Sequence, residues 1–189
     1  GFASAWADLS GNNRPLLQAV GTNQPAYAAG VLTFDVVDNF LKTAPFTLNQ
    51  PWSLAMLYRI VSYTAGDRIT DGNTNDSGMF YMSGVSPNIQ MFAGTALLLA
   101  AGDPAVGDWA AGICVFNGAS SVISINGVSE STGAAGASNA GGFTLGASGG
   151  GLANFGNIEV KEVALFPSAL DAAQRLSVAN YHKTLGGVA

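Results

Sequence analysis

The strongest constraint on the fold of this chain is a pair of hairpin signals in the middle of the sequence. The dipeptides Asn117-Gly118 and Asn126-Gly127 flank the apolar run Ser121–Ile125. Asn-Gly favours tight turns between antiparallel strands because both residues tolerate positive φ angles. The segment from Ile113 to Thr132 is therefore predicted to be a meander of three antiparallel strands.

Short apolar runs of the same kind recur along the chain, separated by turn residues and with hardly any helical periodicity. In the last of them, Ile158 and Val160 face one way while Glu159 and Lys161 face the other, as expected of a half-buried strand. Many short strands at this spacing are typical of an all-β sandwich or barrel. The predicted strands are Val31–Phe34, Trp52–Tyr58, Asp67–Thr70, Met79–Met82, Ile89–Phe92, Ala96–Ala100, Trp109–Phe116, Val122–Ile125, Phe143–Leu145 and Ile158–Phe166.

One helix is predicted, and it comes last in the chain. The sequence Asp171–Gln174 matches a capping box, and Gly186-Gly187 supplies a C-cap. Between these ends Val178, Tyr181 and Leu185 recur at helical spacing. We expect this apolar stripe to pack on the sandwich.

Length and charge limit the remaining alternatives. The 189 residues can form one domain with a large core, and Cys114 lies in an apolar run, where a buried small hydrophobe is expected. The net charge of −5 argues against nucleic acid as a partner, and no apolar run approaches the roughly 20 residues that would insert in a membrane. We predict a single domain over 1–189, processed from a longer chain, with an N-terminal strand and loop segment (1–29), a sandwich (30–167) and a terminal helix and tail (168–189).

Several stretches carry a resemblance to a known family. VLTFDVVDNFL at 31–41 looks like the signature "FDGvdDyl", and WADLSGNN at 6–13 looks like the opener of many bacterial and phage modules. VGDWAAGICVFNGASSVISINGV at 106–128 is similar to the family's Trp-containing strand and hairpin, and GGFTLGASGGGLANFGNIEVKEVALFPSALDAAQRLSVANYH at 141–182 resembles its ending. The chain thus resembles the laminin-G-like, concanavalin A-like lectin-glucanase domains found in phage virion and bacterial surface proteins.

The resemblance implies an all-β fold: an antiparallel two-sheet jelly-roll sandwich of the concanavalin A-like type, with one short C-terminal helix. Two residues depart from the signature, because Val36 stands where the family has Gly and Asn39 where it has Asp. We therefore expect the tight Gly turn to be lost. The calcium binding of some relatives is also less expected here.

The sequence offers no catalytic group that fits the enzymes of this superfamily. Glu159 and Glu162 are three residues apart and would face opposite sides of a strand, so they cannot form a glycosidase carboxylate pair. The single histidine, His182, lies on the predicted helix, where a surface or stripe-edge position is expected. No Gly-x-Ser-x-Gly elbow is present. These observations predict that the chain is not an enzyme.

The loop Asp67–Gly78 is the best candidate for a cation site. A loose calcium site could be built from Asp71, Asn73, Asn75 and Asp76, because hard cations prefer carboxylate and amide oxygens. The sequence lacks the Gly and Glu of an EF-hand at the required positions, and an Asx-rich turn explains the same residues. We predict no cofactor and no tight calcium site.

Sugar binding needs aromatic side chains and planar polar groups on an exposed surface. Trp52 and Trp109 lie among apolar residues and are predicted to be core residues. The candidate ligand contacts lie instead in polar segments, together with Pro87. They are Tyr63, Asn73, Asn75, Tyr81 and Asn88.

Two functions remain open. The composition, with low charge and a polar Gly-rich segment 133–151, slightly favours a structural module of a virion or bacterial surface, of the phage fibre, tail or head-decoration type. Its partners would be other virion or surface proteins, or further copies of the chain in a homo-oligomer such as a trimer. The alternative is a lectin-like module that binds a cell-surface glycan in an extracellular protein. In either case, deletion of Gly133–Ala140 is expected to leave the fold intact.

Overall fold

The computed structural model describes residues 1–84 and 88–188, which form two antiparallel β-sheets and one C-terminal α-helix. This is the predicted two-sheet sandwich. The elements are β1 (Ala5–Trp6), β2 (Leu16–Leu17), β3 (Ala26–Ala28), β4 (Val31–Thr33), β5 (Leu41–Lys42), β6 (Trp52–Ile60), β7 (Arg68–Asp71), β8 (Met79–Met82), β9 (Ile89–Phe92), β10 (Ala96–Leu98), β11 (Trp109–Phe116), β12 (Ser121–Ile125), β13 (Ser129–Gly133), β14 (Thr144–Leu145), β15 (Ile158–Phe166) and α1 (Ala172–Gly186).

The seven-stranded sheet has the order β13-β12-β11-β6-β15-β4-β3. Its β11-β12-β13 portion is the predicted meander, and Asn126 and Gly127 adopt the positive φ angles, 56° and 70°, that the Asn-Gly turn requires. Strand β6 lies at the centre between β11 and β15. The three longest strands of this sheet therefore lie side by side at its middle.

The eight-stranded sheet has the order β1-β2-β5-β14-β7-β8-β9-β10. Its strands are short, and a bulge between Arg68 and Thr70 interrupts the pairing of β7 with β8. The main core lies between the two sheets and includes Leu54, Met56 and Tyr58 of β6. Side chains that alternate along each strand thus meet in the middle of the sandwich.

The opposite face of β6 is buried as well, because α1 covers it. Ala55 of β6 and Ile113 of β11 form a second apolar cluster with Ala179 of the helix. Burial on both faces explains why these two strands are continuous apolar runs without polar alternation. Cys114 is fully buried, as predicted, and burial raises the pKa of its thiol.

Helix α1 has the predicted ends. The Asp171 side chain accepts a hydrogen bond from the Gln174 amide, and Gly187 caps the C-terminus in the left-handed conformation. Of the predicted stripe only Val178 packs on the sandwich, and the rest of the prediction was wrong, since Tyr181 and Leu185 are about half exposed. The buried helix residues are Arg175, Ala179 and His182.

The helix packs on the sheet with a different face from the predicted one because of the polar partners and the small size of the buried side chains. The small Ala179 lets the helix approach the sheet closely. Arg175 is buried because it donates to both carboxylate oxygens of Glu130 and to the Leu170 carbonyl. His182 is 1% exposed, so the expectation of a surface position was also wrong.

The loop after β4 keeps the turn that the sequence was expected to have lost. Val36 adopts φ = 65°, the left-handed conformation that Gly supplies in the related signature. The Asp35 carboxylate accepts a hydrogen bond from the Val37 amide and holds the turn in place. A β-branched residue therefore occupies a backbone conformation that is sterically unfavourable for it.

Segment 133–140 is not the dispensable loop that its composition suggested. Ala135 and Ala140 are fully buried, and the Ala135 carbonyl accepts hydrogen bonds from the amides of Ala93 and Thr95. The segment connects β13 of one sheet to the strand region of the other. Its deletion would remove part of the core.

The first residues of the chain link the two sheets at the opposite side. Gly1 and Tyr27 exchange two hydrogen bonds, and the Ala3 amide donates to the Pro25 carbonyl, so the chain begins alongside β3. It then enters β1 at the edge of the other sheet. Within residues 1–84 and 88–188, no helix is long and apolar enough to cross a membrane.

Candidate functional site

A cleft of about 520 Å³ opens at one end of the sandwich. It lies where the loop before β11, the β12–β13 turn and the C-terminal end of α1 meet. The side chains that matter chemically are Asp103, Asp108, Trp109 and Asn126, and we call this site the Trp109 cleft.

Trp109 is the aromatic residue of the cleft. It begins β11 opposite Arg59, whose guanidinium carbon lies 5.0 Å from the indole centroid, and the Lys161 ammonium lies 4.2 Å from it. Arg59 is anchored in turn by a hydrogen bond of 2.7 Å from its Nε to the Glu159 carboxylate. These cation–π contacts orient the ring. Trp109 is only partly buried, so its prediction as a core residue was wrong, whereas Trp52 is fully buried and stacks on Phe116.

Asp103 and Asp108 give the cleft its charge. The Asp103 Oδ1 accepts a hydrogen bond of 2.6 Å from the backbone amide of Ile89, which ties the loop to the start of β9. Burial raises the pKa of Asp103, and this amide hydrogen bond opposes the shift. Asp108 is exposed at the rim.

The β12–β13 turn and the helix end complete the lining. Asn126 is held by its left-handed backbone and by its Oδ1, which accepts a hydrogen bond of 2.8 Å from the Ala111 amide. Gly186 and Gly187 add the last turn of α1 to the lining of the cleft. An aromatic ring, two carboxylates and an amide thus surround a space of the size that small ligands occupy.

The residues predicted to contact a ligand lie elsewhere. Tyr63 donates from its hydroxyl to the carbonyls of Ser83 and Asn88 at 2.6 and 2.7 Å, so it braces the β8–β9 connection. Burial raises the pKa of its phenol. Asn88 is partly buried beside it, and Pro87 lies outside the described residues. Their role in ligand binding stays a prediction.

Tyr81 belongs to a polar strip on the outer face of the eight-stranded sheet. Its hydroxyl donates to the Gln90 side chain, and the Arg68 guanidinium carbon lies 4.9 Å from its ring centroid. Arg68 also reaches the Asp76 carboxylate at 3.3 Å. Tyr81, which was predicted to contact a ligand, and Asp76, which was predicted as a cation ligand, therefore lie near the same arginine.

Asp71 is fully buried, and backbone amides occupy both of its carboxylate oxygens. One oxygen accepts from the amides of Gly72 and Ser77, and the other from those of Asp76 and Gly149. Burial raises the pKa of Asp71, and these four hydrogen bonds oppose the shift. Asp71 thus holds together an Asx-rich turn, which is the alternative to a cation site that the sequence offered.

The two asparagines of the candidate cation site differ in exposure. The side chain of Asn73 is partly buried against Gly142, whereas Asn75 is exposed and only its backbone lies against Gly149. Among residues 1–84 and 88–188, no three His, Cys, Asp or Glu side chains lie close enough together to hold a metal ion. The calcium site of Asp71, Asn73, Asn75 and Asp76 stays a prediction.

Asp103, Asp108 and Asn126 were not predicted as site residues. The signal available was the spacing Asp103, Asp108, Trp109 next to an Asn-Gly turn. That signal is weak because the cleft also needs the end of α1, which is about 60 residues further along the chain. Only the folded chain brings the three segments together.

Comparison of the sequence with family models and with curated proteins gives no match. Solved structures do match the fold. Trypanosoma rangeli sialidase in complex with 2,3-difluorosialic acid has a TM-score of 0.72 at 13% identity, over 98% of this chain and 32% of that chain. A GH54 α-L-arabinofuranosidase has a TM-score of 0.72 at 16% identity, over 98% and 51%. A heptameric SAP-like pentraxin from Limulus polyphemus has a TM-score of 0.63 at 16% identity, over 79% and 81%.

These similarities establish a jelly-roll sandwich fold, and at such low identity they establish the fold alone. The chain spans about a third of the sialidase and half of the arabinofuranosidase. The prediction that the chain is not an enzyme is corrected by the same structures, because this fold is part of two glycosidase chains. The positions of Glu159, Glu162 and His182 exclude only a carboxylate pair on one strand face and a histidine base, and a glycosidase site could use other residues.

Proposed function

We propose that this chain is a carbohydrate-binding domain and that the Trp109 cleft is its sugar site. The observation that carries the proposal is the partly exposed Trp109 ring in a cleft with the carboxylates of Asp103 and Asp108. An indole ring can pack on the apolar face of a sugar, while the two carboxylates accept hydrogen bonds from its hydroxyls and the NH2 group of Asn126 donates to them.

The fold comparisons support the same proposal. Two of the similar structures belong to proteins named as a sialidase and an arabinofuranosidase, which act on sugars. They favour the glycan-binding alternative over the virion-assembly role. The assembly role, the laminin-G-like and phage assignments, the partner proteins, the oligomer and the extracellular or virion location stay predictions.

The test is a glycan array probed with the purified chain, followed by titration of the best ligand. We expect Trp109→Ala to weaken binding at least tenfold, which corresponds to about 1.4 kcal/mol. The reason is that the variant loses the stacking surface. Tyr81→Ala is the matched control, because it removes a partly buried aromatic residue from the other candidate surface, the outer face of the eight-stranded sheet.

Thermal melting of both variants checks that they are folded. If Tyr81→Ala abolished binding and Trp109→Ala did not, the sugar site would lie on the sheet face and the assignment of the cleft would be wrong. If no glycan bound the wild-type chain, the proposed function itself would fail.

A further inference from the structure

The ionisable side chains among the described residues that line the Trp109 cleft are both acidic. They are Asp103, whose carboxylate is tied to the Ile89 amide, and Asp108 at the rim. The Oδ1 of Asn126 already accepts a hydrogen bond from the Ala111 amide, so the neutral side-chain donors of the lining are the Asn126 NH2 group and the Trp109 indole N–H. The charged groups of the cleft are therefore both negative, and they are hydrogen-bond acceptors.

The C-terminal end of α1 adds to the negative electrostatic potential of the cleft. Gly186 and Gly187 form part of the wall, and the carbonyl end of a helix carries a partial negative charge. The Lys183 carbonyl is satisfied by the amides of Gly187 and Val188, but the following carbonyls belong to the helix end that lacks intrahelical donors. The acceptors come from backbone as well as from side chains.

Three basic side chains belong to neighbouring segments: Arg59 and Lys161 beside Trp109, and Lys183 in the last turn of α1. Arg59 and Lys161 lie against the Trp109 ring and are not among the residues that line the cleft. Arg59 is further neutralised by Glu159 on the neighbouring strand. None of the three basic side chains lines the cleft, so the charged side chains on its wall are those of Asp103 and Asp108.

We propose that the cleft selects neutral and amino sugars and rejects sugars that carry an acidic group, such as sialic and uronic acids. This inference rests on the proposed carbohydrate binding and specifies its ligand class. Hydroxyl and ammonium groups donate hydrogen bonds to the acceptors of the cleft, whereas a sugar carboxylate would meet Asp103, Asp108 and the helix end with the same sign of charge.

The experiment measures binding of matched oligosaccharides that differ only in charge. The pairs are a galactose-terminated glycan with and without terminal sialic acid, and glucose, glucuronate and glucosamine oligomers of equal length. We expect the acidic members to bind at least tenfold more weakly than their neutral partners. The glucosamine oligomer should bind at least as well as the glucose oligomer, and its advantage should shrink as salt is added.

Asp108→Asn tests the source of the selectivity, because it removes one charge and keeps the shape. We expect it to reduce the discrimination against acidic sugars severalfold. Asp35→Asn is the control, since Asp35 is also exposed but lies outside the cleft, and an amide oxygen can still accept the Val37 hydrogen bond.

The two proposals fail differently. Binding confined to acidic glycans, or equal binding of acidic and neutral ones, that is lost in Trp109→Ala would overturn the charge selectivity and keep the sugar site. If Asp108→Asn and Asp35→Asn changed the discrimination against acidic sugars equally, the charge selectivity would also be overturned, because the carboxylates of the cleft would not be its source. Absence of binding to every glycan would overturn the proposed function as well.

Discussion

At the scale of single residues, Val36 is the clearest conflict between side chain and backbone. The left-handed region is rarely occupied by β-branched residues, and its cost is about 1–3 kcal/mol. Val36 is also 39% exposed, so its side chain gains little from burial. The turn persists because the Asp35 side chain and the buried Phe34, which directly follows β4, fix its start.

We predict that Val36→Gly stabilises the protein by about 1 kcal/mol, because Gly adopts φ = 65° without a steric penalty. Urea denaturation measures the change. The control is Val37→Gly, at an exposed neighbouring position whose φ is not positive, where the greater freedom of the unfolded chain should lower stability. Equal effects of the two substitutions would show that Val36 carries no strain.

At the scale of elements, the docking of α1 depends on a buried histidine. His182 is packed beneath the helix with its Nε2 3.8 Å from Glu162 on β15, and Tyr181 donates to the other oxygen of that carboxylate. Burial lowers the pKa of His182, and the charge of Glu162 opposes this shift. The neutral imidazole is therefore the form that the folded helix accommodates.

We predict that acid weakens the fold through this residue. The unfolded chain takes up a proton near the ordinary histidine pKa of about 6.5, above the pKa in the folded state. The contribution of His182 to stability is thus fully present above that pH and is lost as the pH falls through it. The free energy of unfolding, measured between pH 7.5 and 5, should decrease less in His182→Leu than in the wild type. Parallel curves would contradict the prediction.

Among the elements, most strands could be predicted from the sequence, whereas the helix face and the cleft could not. The ten predicted strands are present because apolar alternation and turn residues are local signals. Strands such as β1, β2 and β5 were missed, since two residues carry no periodicity. The helix face was predicted wrongly because the burial of Arg175 depends on Glu130, which lies 45 residues away in the chain. The cleft was missed for the same reason, since its segments meet only after folding.

At the scale of the whole molecule, the connection 133–140 fastens one sheet to the other. Gly136 adopts φ = 93°, and a Cβ at this position would overlap the Ala93 carbonyl oxygen. The backbones at the two positions approach closely because the Ala93 amide donates to the neighbouring Ala135 carbonyl. Glycine is required at position 136 both because of the positive φ angle and because the Ala93 backbone leaves no room for a Cβ atom.

We predict that Gly136→Ala lowers the free energy of unfolding by at least about 2 kcal/mol, since strain and overlap add at this site. Gly66→Ala is the matched control, because Gly66 has nearly the same φ, 95°, and open space around its Cβ position. Gly66→Ala should lower the free energy of unfolding only by the cost of placing Ala at a positive φ. Denaturant unfolding of both variants measures the difference, and equal losses would show that contact with Ala93 is unimportant.

The start of the chain has a consequence for how this molecule meets its neighbours. Exposed edge strands invite strand addition by other chains, which is a route to aggregation. Here the hydrogen bonds from Gly1 and Ala3 already occupy the side of β3, and the same segment continues as the outer strand of the other sheet. On this side, another molecule would have to displace Gly1 and Ala3 before it could pair with β3, and the edge that the eight-stranded sheet offers is only the two-residue strand β1.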